Sequence, residues 1–268
     1  MDLSRSHSTR FDPVLSRMIR VLWFPAYVCL ILVLMLRIQW IVVSALAPFA
    51  LLTLLVAIAG GRRLVFEKWT LSLLVVSLGQ LFYPIAALAL ILWKLDVALF
   101  GLPIGIIMLT SLHFHFAGLG LPVLLSQLEN AFPIQKLRVL PLLIVLTIPL
   151  VGIGIACSPL LEVCAAMLLS LQLMIVAIWQ LEAGMKFLKT NKTAAILLMI
   201  SAISLLGSMP LAMVYASGEF LQIQQLQIPT MIIWHGSLNA CGYCLCGLVG
   251  FNLLQSATST NKKTSHSS

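Results

Sequence analysis

From residue 21 onward the chain is built of long apolar runs divided by short polar breaks. Eight runs are long enough to matter, approximately 21–36, 40–59, 70–93, 98–125, 139–157, 160–186, 193–216 and 229–254. A bilayer core about 30 Å thick is crossed by about 20 helical residues, so each run reads as a spanning helix. The pattern predicts an all-α polytopic transmembrane bundle. The first run ends at Arg37 and reaches the second through Ile38, Gln39 and Trp40, which predicts a tight helical hairpin with Trp40 at an interface. The longest breaks run from Ser126 to Arg138 and from Gly218 to Pro229. In the second, apolar residues alternate with Gln222, Gln224, Gln225 and Gln227, as in a segment lying along the membrane surface.

Composition agrees with this. Of 268 residues, 61% are hydrophobic and only 9% charged, a balance that excludes a soluble domain. Eight crossings use up the chain, giving a basic tail over 1–20, one helical membrane domain over 21–254 and a disordered tail over 255–268. The net charge of +8 would suggest nucleic acid in a soluble protein. Here the cations sit between apolar runs without an aromatic-interleaved basic patch, so nucleic acid is not an expected partner and the lipid bilayer is.

The cations report orientation instead. If the N-terminus is cytoplasmic, fourteen of the sixteen Lys and Arg fall on the inner side, and only Arg37 and Lys94 fall outside. That is the positive-inside pattern for an even number of spans with both ends cytoplasmic. Reading the first run as a cleaved secretory signal is poorer. Arg37 separates the run from the small-residue stretch Ser44 to Ala47, and cleavage would leave an odd number of spans.

Function then rests on polar groups inside the spans, where ionisable residues are costly and usually face the bundle. His113 and His115 lie in the fourth span and His235 in the eighth, four residues before Asn239 and so on the same helical face. Gly242 and Cys246 continue that stripe, and small residues there invite a close helix neighbour, for which the fourth span is the candidate. His113 and His115 are about 200° apart on a regular helix, so one of them bonds elsewhere unless Pro122 kinks the span and turns both inward. These four residues, His113, His115, His235 and Asn239, are the candidate ligand-binding set. The alternative reading is plain interhelical hydrogen bonding.

Other intramembrane polar groups have structural explanations. Gln80 and Tyr83 are one turn apart before Pro84, Gln172 is placed to bridge two helices, and Ser201, Ser204 and Ser208 form a stripe ended by Pro210. Glu182 and Lys186 suit an interfacial ion pair. Cys241 and Cys244 have C-x-x-C spacing, yet inside an apolar helix buried thiols are inert packing groups.

The segments His113-Phe114-His115-Phe116-Ala117-Gly118 and His235-Gly236, Asn239-Ala240, Gly242, Tyr243 resemble the YndJ-like family of bacterial membrane proteins. The resemblance implies a multi-pass protein of the bacterial cytoplasmic membrane, centred on those two motifs. It brings no assigned activity, and it does not include Cys241 or Cys244.

Three functions stay open. A small ligand, metal or haem is held by His113 or His115 with His235, oriented by Asn239. A proton-coupled transporter uses the histidines as titrating groups and Pro84, Pro122 and Pro210 as hinges. A non-enzymatic scaffold uses them only to tie helices together. Cofactor identity, oligomeric state and catalysis leave no mark in these patterns.

Overall fold

The computed structural model describes residues 13–35, 44–223 and 226–265. Among them every regular element is a helix, and eight helices are long and apolar enough to cross a membrane. They are Pro13–Met35, Ala47–Phe66, Leu71–Lys94, Ile104–Ala131, Gln135–Cys157, Pro159–Phe187, Lys192–Phe220 and Ile228–Ser256. The eight-span, all-α reading therefore holds.

Several boundaries moved. The first helix, α1 (Pro13–Met35), begins well before residue 21, with Pro13 at its first position, where a missing N–H costs nothing. The second, α2 (Ala47–Phe66), includes Arg62 and Arg63, the latter in its last turn, instead of leaving them in a loop. The hairpin expected at Ile38 to Trp40 lies outside the described residues, as do Gln224 and Gln225. The fourth span runs six residues beyond expectation, to Ala131, so half of the anticipated Ser126–Arg138 break is helix.

Local chemistry explains the starts. The hydroxyl of Thr70 accepts from Leu73 N–H at 3.1 Å and opens α3 (Leu71–Lys94). Ser158 and Asn191 cap α7 (Pro159–Phe187) and α8 (Lys192–Phe220) in the same way, at 3.4 and 3.1 Å. In the numbering used here, α4 is Ile104–His113, α5 is Leu121–Ala131, α6 is Leu140–Cys157, α9 is Ile228–Met231 and α10 is Cys246–Ser265.

Two spans depart from α geometry. Between α4 and α5, Phe114–Gly120 is a wide π turn. Between α9 and α10, Ile232–Gly236 and Leu238–Leu245 are two more. Wide turns of this kind accompany functional sites in many helices. Pro122 supplies a cause for the first, because it has no N–H to offer the Gly118 carbonyl. The Leu121 N–H reaches back five residues to Phe116 O, and the Gly118 carbonyl turns toward Gly79 of α3. A Cβ on Gly79 would lie 2.9 Å from that oxygen and 2.7 Å from the Pro122 ring, so only glycine permits the approach.

The chain forms two compact units, Met1–Val123 and Leu124–Ser268. The core of the first joins Phe49 and Leu52 of α2 with Tyr83, Ala86 and Leu90 of α3 and Ala26 and Val33 of α1. In the second, α7 and α8 approach through Gly184, where a Cβ would stand 2.7 Å from Met199 Cγ. Trp179 of α7 is fully enclosed and donates its indole N–H to Phe132 O at 2.8 Å.

Candidate functional site

In the first unit, His115 lies on the π turn, half-buried, and its Nε2 is 2.7 Å from the hydroxyl of Tyr27 on α1. That hydroxyl is in turn 2.8 Å from the hydroxyl of Tyr83 on α3. Three spans thus meet in one chain of hydrogen bonds, Tyr83, Tyr27, His115. Aromatic rings enclose it: Phe49 stacks on the imidazole with centroids 5.9 Å apart, and Tyr27 and Tyr83 meet it edge-on at 5.6 and 5.3 Å.

The chain has a useful symmetry. Each hydroxyl both donates and accepts, and neutral imidazole presents either an N–H or a lone pair at Nε2. The bonds can run from Tyr83 through Tyr27 into the imidazole, or from the imidazole outward to Tyr83. A proton entering at one end and leaving at the other converts one direction into the other.

His113 closes α4 and is exposed, so two histidines two positions apart occupy different surroundings, as the helical period requires. The kink that would have turned both rings inward does not form. Pro122 is accommodated by the π turn instead, which serves His115 alone.

In the second unit, His235 and Asn239 share a face as expected, and Asn239 Nδ2 donates to His235 Nε2 at 3.0 Å. His235 Nδ1 lies 2.9 Å from the backbone carbonyl of Ser208 on α8. A carbonyl only accepts, so Nδ1 carries the proton and Nε2 presents its lone pair to Asn239. The Ser208 hydroxyl donates to Asn239 Oδ1 at 2.9 Å, which closes a ring of three bonds through one serine. Every polar atom of the imidazole is engaged.

The neighbour of this face is α8. The serine stripe of α8 follows the whole motif: Ser204 lies against Gly242, and the Ser201 hydroxyl donates to Tyr243 O at 2.8 Å. Beyond Tyr243 the close approaches pass to Gly247, whose Cβ would be 2.9 Å from Ser201 Oγ, and to Gly250 against Leu198. The stripe does not continue through Cys246, because the wide turns shift the register before α10 begins. Leu124 of α5 also meets this helix, 3.0 Å from where a Cβ on Gly247 would stand.

One further expectation changes, one residue was not foreseen, and one ion pair forms as expected. The helix-bridging glutamine is Gln180, whose Nε2 donates to Ser201 Oγ at 2.7 Å and Leu198 O at 3.1 Å, while Gln172 Oε1 is buried without a hydrogen-bond partner. Tyr27 was missed altogether. A mid-span phenol needs a partner for its hydroxyl, and that requirement was the available signal. Glu182 and Lys186 do pair, at 3.2 Å on an exposed face, where such a bond adds little.

His115 and His235 thus both sit at wide turns, while His113 closes α4. The family model for YndJ-like proteins matches residues 2–243. This chain belongs to the YndJ-like family. It is similar to the uncharacterized membrane protein YndJ of Bacillus subtilis (strain 168), with 30% identity over 152 residues, which is 55% of this chain and 27% of that protein. The chain therefore spans well under half the length of that relative. No solved structure matches.

The YndJ-like match takes in His115, His235, Asn239 and Tyr243 and ends before Cys244 and Cys246. All six cysteines are free thiols, Cys241 exposed and Cys244 buried. Among the described residues no group of three or more His, Cys, Asp or Glu side chains is placed to hold a metal.

Proposed function

We propose that this YndJ-like protein handles protons within the bacterial cytoplasmic membrane, both termini cytoplasmic, with His115 as the proton-exchanging group and Tyr27 and Tyr83 as its relay. The observation that carries the reading is the Tyr83–Tyr27–His115 chain, whose two bonds of 2.8 and 2.7 Å can each run in either direction. A structural tie would need only one fixed direction. Placing an imidazole and two phenols in a single line, at a turn that departs from α geometry, favours passage of a proton, whether alone or coupled to a transported solute.

His235 and Asn239 serve this reading as a clamp that fixes the eighth span on α8. A metal or haem iron at His235 would compete with Asn239 for the Nε2 lone pair, which makes that use of the pair the weaker one. A small polar ligand that replaces the Asn239 amide is compatible with the same geometry.

The test is proton flux into proteoliposomes holding the purified protein and a lumenal pH dye, driven by a potassium diffusion potential. The reading expects flux above protein-free vesicles that His115→Phe and Tyr27→Phe abolish. Flux equal in wild type and both variants would remove the relay from the mechanism.

A further inference from the structure

The relay ends at Tyr83, but the polar face of α3 does not. Ser77, Gln80 and Tyr83 are spaced three residues apart, one turn each, and all three are buried, at 0%, 2% and 2% exposure. Gln80 packs on Gly60 and Tyr83 on Phe49, so the face is turned toward α2. Ser77 Oγ and Gln80 Oε1 are enclosed and bonded to no other protein group. Buried polar atoms are in most cases bonded to protein or to ordered water, and two enclosed oxygens side by side on one helix face, unlike the isolated Gln172 Oε1, give a single water two partners.

Gly60 makes the place for them. A Cβ there would stand 2.8 Å from Gln80 Cβ and 3.2 Å from Gln80 Oε1, so the missing side chain is what lets the carboxamide lie against the α2 backbone. Cβ atoms three apart on a helix are about 5–6 Å from one another, a spacing at which the oxygens of the two side chains can share one water through two ordinary hydrogen bonds. A buried water needs two to four polar partners, and Ser77 and Gln80 supply two.

We infer that Ser77 and Gln80 hold an internal water that extends the relay from Tyr83 along α3 toward the turn at residues 67–70. The inference rests on the proton-handling reading for its purpose, and on the two buried oxygens for its place. Helices α2 and α3 run antiparallel across that turn, so Arg63, itself 5% exposed, lies one turn beyond Gly60 at the Ser77 end, with Glu67 in the following turn. The guanidinium disfavours a resting cation there. The resident is neutral water, and charge passes by exchange of hydrogen bonds.

Two measurements separate this from the relay itself. The first is water-to-protein magnetisation transfer by NMR on the detergent-solubilised full chain, with labelled serine and glutamine. A long-lived water cross-peak at Ser77 and at the Gln80 carboxamide, lost in Ser77→Ala and weakened in Gln80→Leu, supports the site. Wild-type protein without such peaks, in spectra where other Ser and Gln signals are resolved, overturns it whether or not the variants fold. The second is the proteoliposome assay: Gln80→Leu should lower flux to the protein-free level. Flux that needs His115 but ignores Ser77 and Gln80 overturns the water path and leaves the relay standing. A water peak in a protein that carries no flux keeps the site and removes the relay.

Discussion

Replacing Tyr27 by phenylalanine takes away one oxygen and no ring. The packing around Phe49 and His115 is kept, so no cavity is created and the whole effect is polar. That oxygen makes two hydrogen bonds, to Tyr83 at 2.8 Å and His115 at 2.7 Å. A net hydrogen bond in a folded protein contributes about 0.5–1.5 kcal/mol, and interhelical bonds in membranes average about 0.6 kcal/mol. Tyr27→Phe should therefore destabilise by about 1–3 kcal/mol, and Tyr83→Phe, which breaks only one of the two bonds, by about half as much. Because that bond is shared, the double variant should cost less than the sum, with a coupling of about 0.6–1.5 kcal/mol. The assay is a double-mutant cycle read by reversible unfolding in mixed micelles. Additivity within about 0.3 kcal/mol would mean that the two phenols do not bond, and the relay would lose its first link.

In the eighth span, Gly242→Ala places a methyl against Ser204 and should cost about 1–3 kcal/mol, largely recovered by Ser204→Gly in the same chain; thermal unfolding of the three variants decides this. Gln180→Leu should destabilise by about 1–2 kcal/mol through its bonds to Ser201 and Leu198, whereas Gln172→Leu should be neutral or stabilising, since its buried oxygen is unpaired. Asn239→Ala frees the Nε2 lone pair of His235 and should raise zinc uptake above wild type, measured by elemental analysis after dialysis. Lower uptake than wild type would instead make Asn239 a supporting group of a metal site.

The spans were readable because eight long apolar stretches with few charges admit few other foldings, and the His235–Asn239 pair was readable because a four-residue spacing puts two side chains on one face of almost any helix. The partner of that pair was not. Ser201, Ser204 and Ser208 read as a self-satisfying hydroxyl stripe, and nothing in one helix says which neighbour its hydroxyls meet. The wide turns were invisible for a similar reason. Pro122 signals a disturbance, but nothing in the sequence brings Gly79 of α3 against it or says that the helix widens there. Tyr27 was hidden by its setting, a lone phenol in the most apolar part of α1, whose value appears only when Tyr83 and His115 close on it.

The reversible chain is tested most directly by 15N NMR of the imidazole in histidine-labelled protein, with His115 assigned by its loss in His115→Phe. Reversal requires Nε2 to alternate between N–H and lone pair, so the wild type should show its Nε2 signal averaged between the two, and Tyr27→Phe should collapse it to one form. A single fixed tautomer in the wild type, unchanged by Tyr27→Phe, would contradict a proton relay through His115.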